Sequence, residues 1–156
     1  SEQLEVCQHL WSNVPANFSG KHFSFNNIYS VPLPKQEGGV PFWFGMVANE
    51  SNANLIAKFG LGWIPIQPNP EFIKSGVNII KEGFLRAGKD PEELRVRGQL
   101  RMGFDENGKP NIEKTLDGLE QGLEAGITDL EVFPSAFIEN LDQLPDLLDN
   151  LLKLKS

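Results

Sequence analysis

The sequence predicts an α/β fold: half of a (β/α)8 barrel, about four parallel strands with their helices, plus a small β excursion near the N-terminus. Three observations predict it. Residues 40–66 read as strand, helix, strand: 40–45 and 62–66 are short apolar runs without polar alternation, as strands covered on both faces require. A helix between two such strands implies a parallel pair with a right-handed crossover. Next, Gly60, Gly88 and Gly126 recur as helix closers, each just before, or a short turn before, the next strand. Last, 156 residues suffice for one domain with a real core. A closed barrel needs roughly 250. The expected organisation is a single domain over residues 1–156: a helix at 1–12, the β excursion at 13–39, and four strand–helix units over 40–156.

Each element has its own reason. Leu4, Cys7, Leu10 and Trp11 fall at helical spacing and give residues 2–11 one apolar face. In an alternating strand–helix protein a helix follows a strand, so this helix suggests a strand upstream in a parent protein. Over 13–39, Phe18, Phe23, Phe25, Ile28 and Val31 are separated by Gly20, Asn26, Asn27, Pro32 and Pro34. Ser19-Gly20 signals a turn and 21–25 alternates like a strand, which predicts a hairpin and then an extended proline-bearing segment. Residues 36–39 read as a loop. Ser51 is the expected N-cap of a helix running to about Phe59, with Gly60 as its left-handed C-cap.

Asn69-Pro70-Glu71 combines an asparagine cap, a proline at the first position and an acid in the first turn. Ile73, Val77, Ile80 and Phe84 then form a helical stripe that Gly88 ends. Asp90-Pro91-Glu92 repeats the start signal for a single turn. The third strand is expected at 96–104, wetter than the others because Arg97, Gln99 and Arg101 alternate with less polar residues. Asp105-Glu106-Asn107-Gly108 is a turn. Ile112, Leu116, Leu119 and Leu123 form another stripe, closed by Gly126. The fourth strand is expected at 129–133, and Leu141, Leu144, Leu147, Leu148, Leu151 and Leu154 mark a final amphipathic helix.

Composition excludes several classes. Hydrophobic content of 40% with 22% charged residues is that of a soluble globular protein. A net charge of −7 argues against nucleic acid and anionic membrane as partners. No apolar run approaches the ~20 residues that span a bilayer. A single cysteine, Cys7, rules out an internal disulfide framework. Nothing looks secretory, so the cytoplasm is the expected location.

Among candidate residues, His9 sits on the polar side of its helix and His22 in the hairpin. Neither has a Ser, Cys or carboxylate at motif spacing, so no triad or metal site is expected. Trp43 and Trp63 read as core residues. Arg97, Gln99 and Arg101 share one strand parity. They form a polar interior layer or site in a closed barrel, or else a partly exposed strand whose arginines snorkel between helices.

Five blocks follow one another at fitting spacing over residues 10–91. They are Leu10-Trp11 with Phe18-Ser19-Gly20-Lys21-His22-Phe23, then Pro32-Leu33-Pro34, then Pro41-Phe42-Trp43-Phe44-Gly45, then Gly60-Leu61-Gly62-Trp63-Ile64-Pro65, then Ala87-Gly88-Lys89-Asp90-Pro91. Together they resemble the C-terminal half of the bacterial luciferase-like monooxygenases, the flavin- or deazaflavin-dependent oxidoreductases. Met46 stands where that family usually has a second glycine, and Leu61 where it has an acid. The resemblance implies a (β/α)8 barrel with an excursion before the fifth strand, FMN or a deazaflavin coenzyme as cofactor, and a small organic substrate. It implies hydride movement between substrate and cofactor, or reduced flavin acting with O₂. It places the cofactor at the C-terminal ends of the strands, at 45–49, 66–69, 104–105 and 133–135. Gly45, Asn49 and Ser51 match or neighbour the family's phosphate-binding backbone. It names no catalytic residue here. The family's N-terminal half supplies much of the pocket, so the isolated chain is expected to be inactive and to bind flavin weakly.

A second reading is a non-catalytic half-barrel that serves as an oligomerisation or interaction module. Under either reading a half-barrel has two open edges and an exposed concave face. That face is expected to be apolar, drawn from residues such as Phe42, Phe44, Ile64, Ile66, Leu130 and Val132. A homodimer, or the missing N-terminal half, is the expected cover.

Overall fold

A computed structural model describes residues 1–36 and 38–153. Leu154, the last position of the expected terminal stripe, and Glu37 of the expected loop lie outside the described residues. The chain opens with α1 (Glu2–Ser12), followed by the antiparallel hairpin of β1 (Ala16–Ser19) and β2 (Ser24–Ile28). The second hairpin strand starts at Ser24, not at residue 21, because the Glu2 carboxylate takes the preceding amides. It accepts from the His22 N–H at 2.9 and 3.0 Å and from the Phe23 N–H at 3.2 Å. These bonds dock the hairpin on α1 and hold the Glu2 carboxyl below its ordinary value, the His22 amide contributing most.

The main sheet follows in chain order: β3 (Phe42–Gly45), α2 (Glu50–Phe59), β4 (Gly60–Ile64), α3 (Pro70–Arg86), β5 (Arg95–Gly98), α4 (Ile112–Leu116), α5 (Leu119–Glu124), β6 (Asp129–Leu130) and α6 (Leu144–Leu152). Its four strands are all parallel and lie in the order β3-β4-β5-β6. This is the α/β half-barrel arrangement that the strand–helix beat predicts. Asn69 caps α3 by accepting the Phe72 N–H at 3.1 Å, and Gly88, at φ +70°, closes it.

Five further expectations are corrected. The N-cap of α2 is Asn49 instead of Ser51. Asn49 accepts the Asn52 N–H at 2.9 Å while the Asn52 amide side chain donates back to the Val47 carbonyl, so the turn locks two residues earlier. Gly60 is not a left-handed cap. It is extended at φ −91° because the chain passes from α2 straight into β4, and Gly60 is that strand's first residue. The third strand ends at Gly98, well short of residue 104. The Thr115 hydroxyl accepts the Gly103 N–H at 3.0 Å and draws the chain onto α4, while Phe104 makes only an isolated bridge to Pro110. The fourth strand is two residues long. The stripe over 112–123 is two short helices broken at Asp117 and Gly118.

The core lies between the sheet and its helices. Trp63, Ile56, Ile73, Ile80 and Val96 are fully buried, with Phe44, Val77 and Phe84 around them. Phe44, Trp63 and Val96 are in register on neighbouring strands and turn toward α2 and α3. On the opposite face, Trp43, Ile64, Arg97 and Asp129 are only half-buried and Arg95 is exposed.

Candidate functional site

The register assigns the open face. Trp43 pairs with Gly62 and Gly62 with Arg95; Gly45 pairs with Ile64, and Arg97 with Asp129. Side chains of one parity share a face, so Trp43, Ile64, Arg95, Arg97 and Asp129 stand together, opposite Phe44 and Trp63. The concave face is therefore not the apolar one expected from Phe42, Phe44 and Leu130. Phe44 is buried under the helices, and the open face carries charge.

Its groups are paired. Arg95 donates from Nε to Asp129 Oδ2 at 2.8 Å and from Nη2 to Oδ1, a fork on a carboxylate. The Thr128 hydroxyl adds a bond to Asp129 Oδ2 at 2.7 Å. Burial pushes the Asp129 carboxyl up, but the Arg95 and Thr128 hydrogen bonds and the charges of Arg95 and Arg97 outweigh it, and its pKa lies below the ordinary value. The Arg97 guanidinium lies 4.2 Å from the Trp43 ring centre, a cation–π contact. Gln99 donates from Nε2 to Glu131 Oε2 at 2.9 Å. Arg101, beyond the strand, is exposed beside Gln67 and Pro68. Of the expected polar set, Arg97 and Gln99 thus join the face and Arg101 does not. The sequence reading missed Arg95, Asp129 and Glu131. Their alternation over 95–99 and 129–131 was the available signal.

The C-terminal ends of the strands carry two further features. At the first, 45–51, β3 passes into α2. Gly45 is exposed, and a Cβ there would meet no atom within 4 Å. The Trp63 indole N–H donates to the Met46 carbonyl at 2.7 Å, which pins the turn from inside the core. Trp63 is thus a core residue that also shapes this junction. The Asn49 side-chain oxygen is spent on its cap, Ser51 is exposed, and Glu50 puts a negative charge in the first turn. The second feature is a cleft of about 30 Å³ between the ends of β5 and β6, α4, and the turn at Pro134–Ala136. Leu100, Met102, Leu116, Val132 and Phe137 line it, with Gln99 and Glu131 as polar groups.

His22 is exposed. His9 packs edge-on against Phe18 at 5.7 Å, and its Nδ1 lies 3.3 Å from Asn13 Nδ2. Among the described residues no cluster of three or more His, Cys, Asp or Glu is placed to hold a metal ion, and no helix is long and apolar enough to cross a membrane.

A four-stranded parallel sheet with its helices and a hairpin before its first strand is the architecture of half an α/β barrel. The chain belongs to the luciferase-like monooxygenase family, whose family model matches residues 1–115. Among solved structures it is similar to an F420-dependent secondary alcohol dehydrogenase in complex with an F420–acetone adduct, with TM-score 0.67, 18% identity, and coverage of 83% of this chain and 53% of that one. It is equally similar to the coenzyme F420-dependent tetrahydromethanopterin reductase from Methanopyrus kandleri, with TM-score 0.67, 16% identity, and coverage of 83% and 55%. A monooxygenase from Streptomyces bottropensis aligns with TM-score 0.52 at 19% identity over 80% of this chain and 38% of that one. At these identities the likeness shows the fold. The chain spans about half the length of the first two proteins. No curated protein matches it.

Proposed function

We propose that this chain forms the C-terminal half of a cytoplasmic luciferase-like oxidoreductase that uses FMN or a deazaflavin coenzyme on a small organic substrate. Residues 1–156 act as one domain of that enzyme. The observation that carries the reading is the junction at 45–51, at the end of a barrel strand where such enzymes place their ligands. Gly45 leaves room for close approach, and the first amides of α2 have no intrahelical carbonyl to bond. These groups fit an anionic group such as a cofactor phosphate. Gly45, Asn49 and Ser51 would hold it, Asn49 and Ser51 through side-chain and backbone donors. When bound, the cofactor would supply hydride or, in its reduced form, O₂ chemistry. Met46 and the charge of Glu50 weaken the grip, and the missing half of the pocket weakens it further.

The charged concave face and the two sheet edges then meet a second half-barrel, either another copy of this chain or an N-terminal half. The charged pairs on that face favour this reading over a bare interaction module, because a docking surface alone would gain more from apolar residues there.

The test is a titration of the labelled protein with FMN and with F420, read by amide NMR. The expected result is weak, saturable binding, with shifts confined to the amides of 45–51. Submicromolar affinity for the chain alone would contradict the half-site. Shifts elsewhere, or none at millimolar cofactor, would sink the assignment of Gly45, Asn49 and Ser51.

A further inference from the structure

We propose that the cleft between the ends of β5 and β6 and α4 takes a short apolar branch of the substrate, whose hydroxyl or amine group donates a hydrogen bond to Glu131. The inference rests on the strand ends being the active site, and it deepens that reading by naming a substrate class. Walls of Leu100, Met102, Leu116, Val132 and Phe137 suit an alkyl group. At about 30 Å³ the cleft holds only a short branch, so a longer ligand must extend outward past Phe133, which is exposed.

The polar groups at the cleft decide the head group. Among the described residues the Glu131 side chain receives one hydrogen bond, from Gln99 to Oε2, which leaves Oε1 as an acceptor there. Thr115 offers little, because its hydroxyl donates to the Asn111 carbonyl at 2.8 Å and accepts from the Gly103 N–H. Among the described residues no Lys, Arg or His lines the cleft. A hydrogen-bond donor is therefore matched, while a carboxylate or phosphate would face Glu131 with no cation to offset it. The geometry selects neutral alcohols and protonated amines over anionic substrates.

The chain has two methionines, Met46 and Met102, which makes ¹³C-methyl methionine spectra of the full chain a clean reporter without cofactor. Met102 lines the cleft, and Met46 at the β3 turn serves as control. The probes are 1-butanol, butylamine and butyrate. Butanol and butylamine should shift the Met102 methyl saturably and leave Met46 in place, with butyrate weaker by about tenfold. Glu131→Gln should bring butylamine and butyrate to similar affinities. Leu116→Trp should fill the cleft and abolish the Met102 response; if it disturbs the Met46 signal, Val132→Phe replaces it as the filling variant. The proposal is overturned if no probe saturates, if butyrate binds as well as the others, or if Glu131→Gln leaves the order unchanged. Because these arms contain no cofactor, a failed FMN or F420 titration beside an intact Met102 response would count against the cofactor junction alone.

Discussion

The stretch from β3 to β5 and the stretch after Gly98 use similar hydrophobic stripes to different effect. In the first, α2 and α3 are 10 and 17 residues long and share a buried layer from Phe44 to Val96. In the second, α4 and α5 are 5 and 6 residues long. Its buried apolar side chains, among the described residues, are Ala125, Ile127 and Leu147, while Phe104, Leu123, Phe133 and Leu141 stay exposed. The difference teaches that a stripe becomes structure only where another layer meets it. Two long helices packed on three strands supply such a layer; two short helices and a two-residue strand do not. The proposed cofactor junction thus stands on the better-packed stretch and the apolar cleft on the more thinly packed one, where local opening is expected to cost less.

The largest expected effect tests this contrast directly. Trp63→Ala removes a fully buried ring and its bond to the Met46 carbonyl, and should cost about 3–5 kcal/mol. Leu147→Ala, in the second stretch, should cost about 2 kcal/mol, the low end for a buried leucine. Urea unfolding of both variants measures the gap. Equal losses would erase the distinction between the two stretches.

The first stretch was also the more legible. The signal at Asn69-Pro70-Glu71 is local chemistry, and α3 starts there; the apolar runs around Phe44 and Trp63 are strands because the layer they imply exists. Misreadings came where tertiary contacts chose between local options. Asn49 and Ser51 are both competent caps, and the return bond from Asn52 to Val47 selects Asn49. Alternation at Arg97, Gln99 and Arg101 continues past the point where Thr115 pulls the chain off the sheet. The polar face was half visible: Arg97 lies on one strand and Gln99 just past its end, but Asp129 and Glu131, which pair with Arg95 and Gln99, come some 32 to 34 residues later. Gly45 is legible as a turn glycine, whereas the indole bond that fixes its neighbour Met46 is not.

Two glycines sharpen the comparison at a smaller scale. Gly126 sits at φ +102°, and a Cβ there would come within 3.2 Å of the Val77 side chain, which ties the second stretch to α3. Gly88 sits at φ +70° with open space around it. Gly88→Ala should cost only the left-handed backbone penalty, about 1 kcal/mol, and Gly126→Val should cost about 2 kcal/mol or more. An unchanged melting temperature for Gly126→Val would show that the contact with Val77 can relax freely.

Helix caps give the next smaller effect. Asn69 and Asn111 make the same bond, to the Phe72 and Lys114 amides, at the starts of α3 and α4. Asn69→Ala should lower global stability by about 1 kcal/mol. Asn111→Ala should leave the global midpoint nearly unchanged and speed hydrogen exchange over 112–116, because α4 opens locally. A full loss of global stability from Asn111→Ala would mean that the second stretch unfolds with the first as one unit.

The smallest effect concerns the Arg95–Asp129 pair, which joins the two stretches across β5 and β6. Arg95 is 47% exposed, so the pair should contribute less than about 1 kcal/mol. Its pH dependence has a definite sign. The Asp129 carboxyl lies below its ordinary value in the folded protein. The unfolded chain titrates near 3.9. Stability from the pair is therefore fully present above about pH 4 and is lost as the pH falls through the lower, folded value. Asp129→Asn removes that component. The stability gap between wild type and Asp129→Asn should be constant from pH 7 to about pH 5 and shrink below about pH 4. Urea midpoints at several pH values measure it. A gap that does not change with pH would show that Arg95 gains nothing from the charge on Asp129, and that hydrogen bonds alone hold β6 to the sheet.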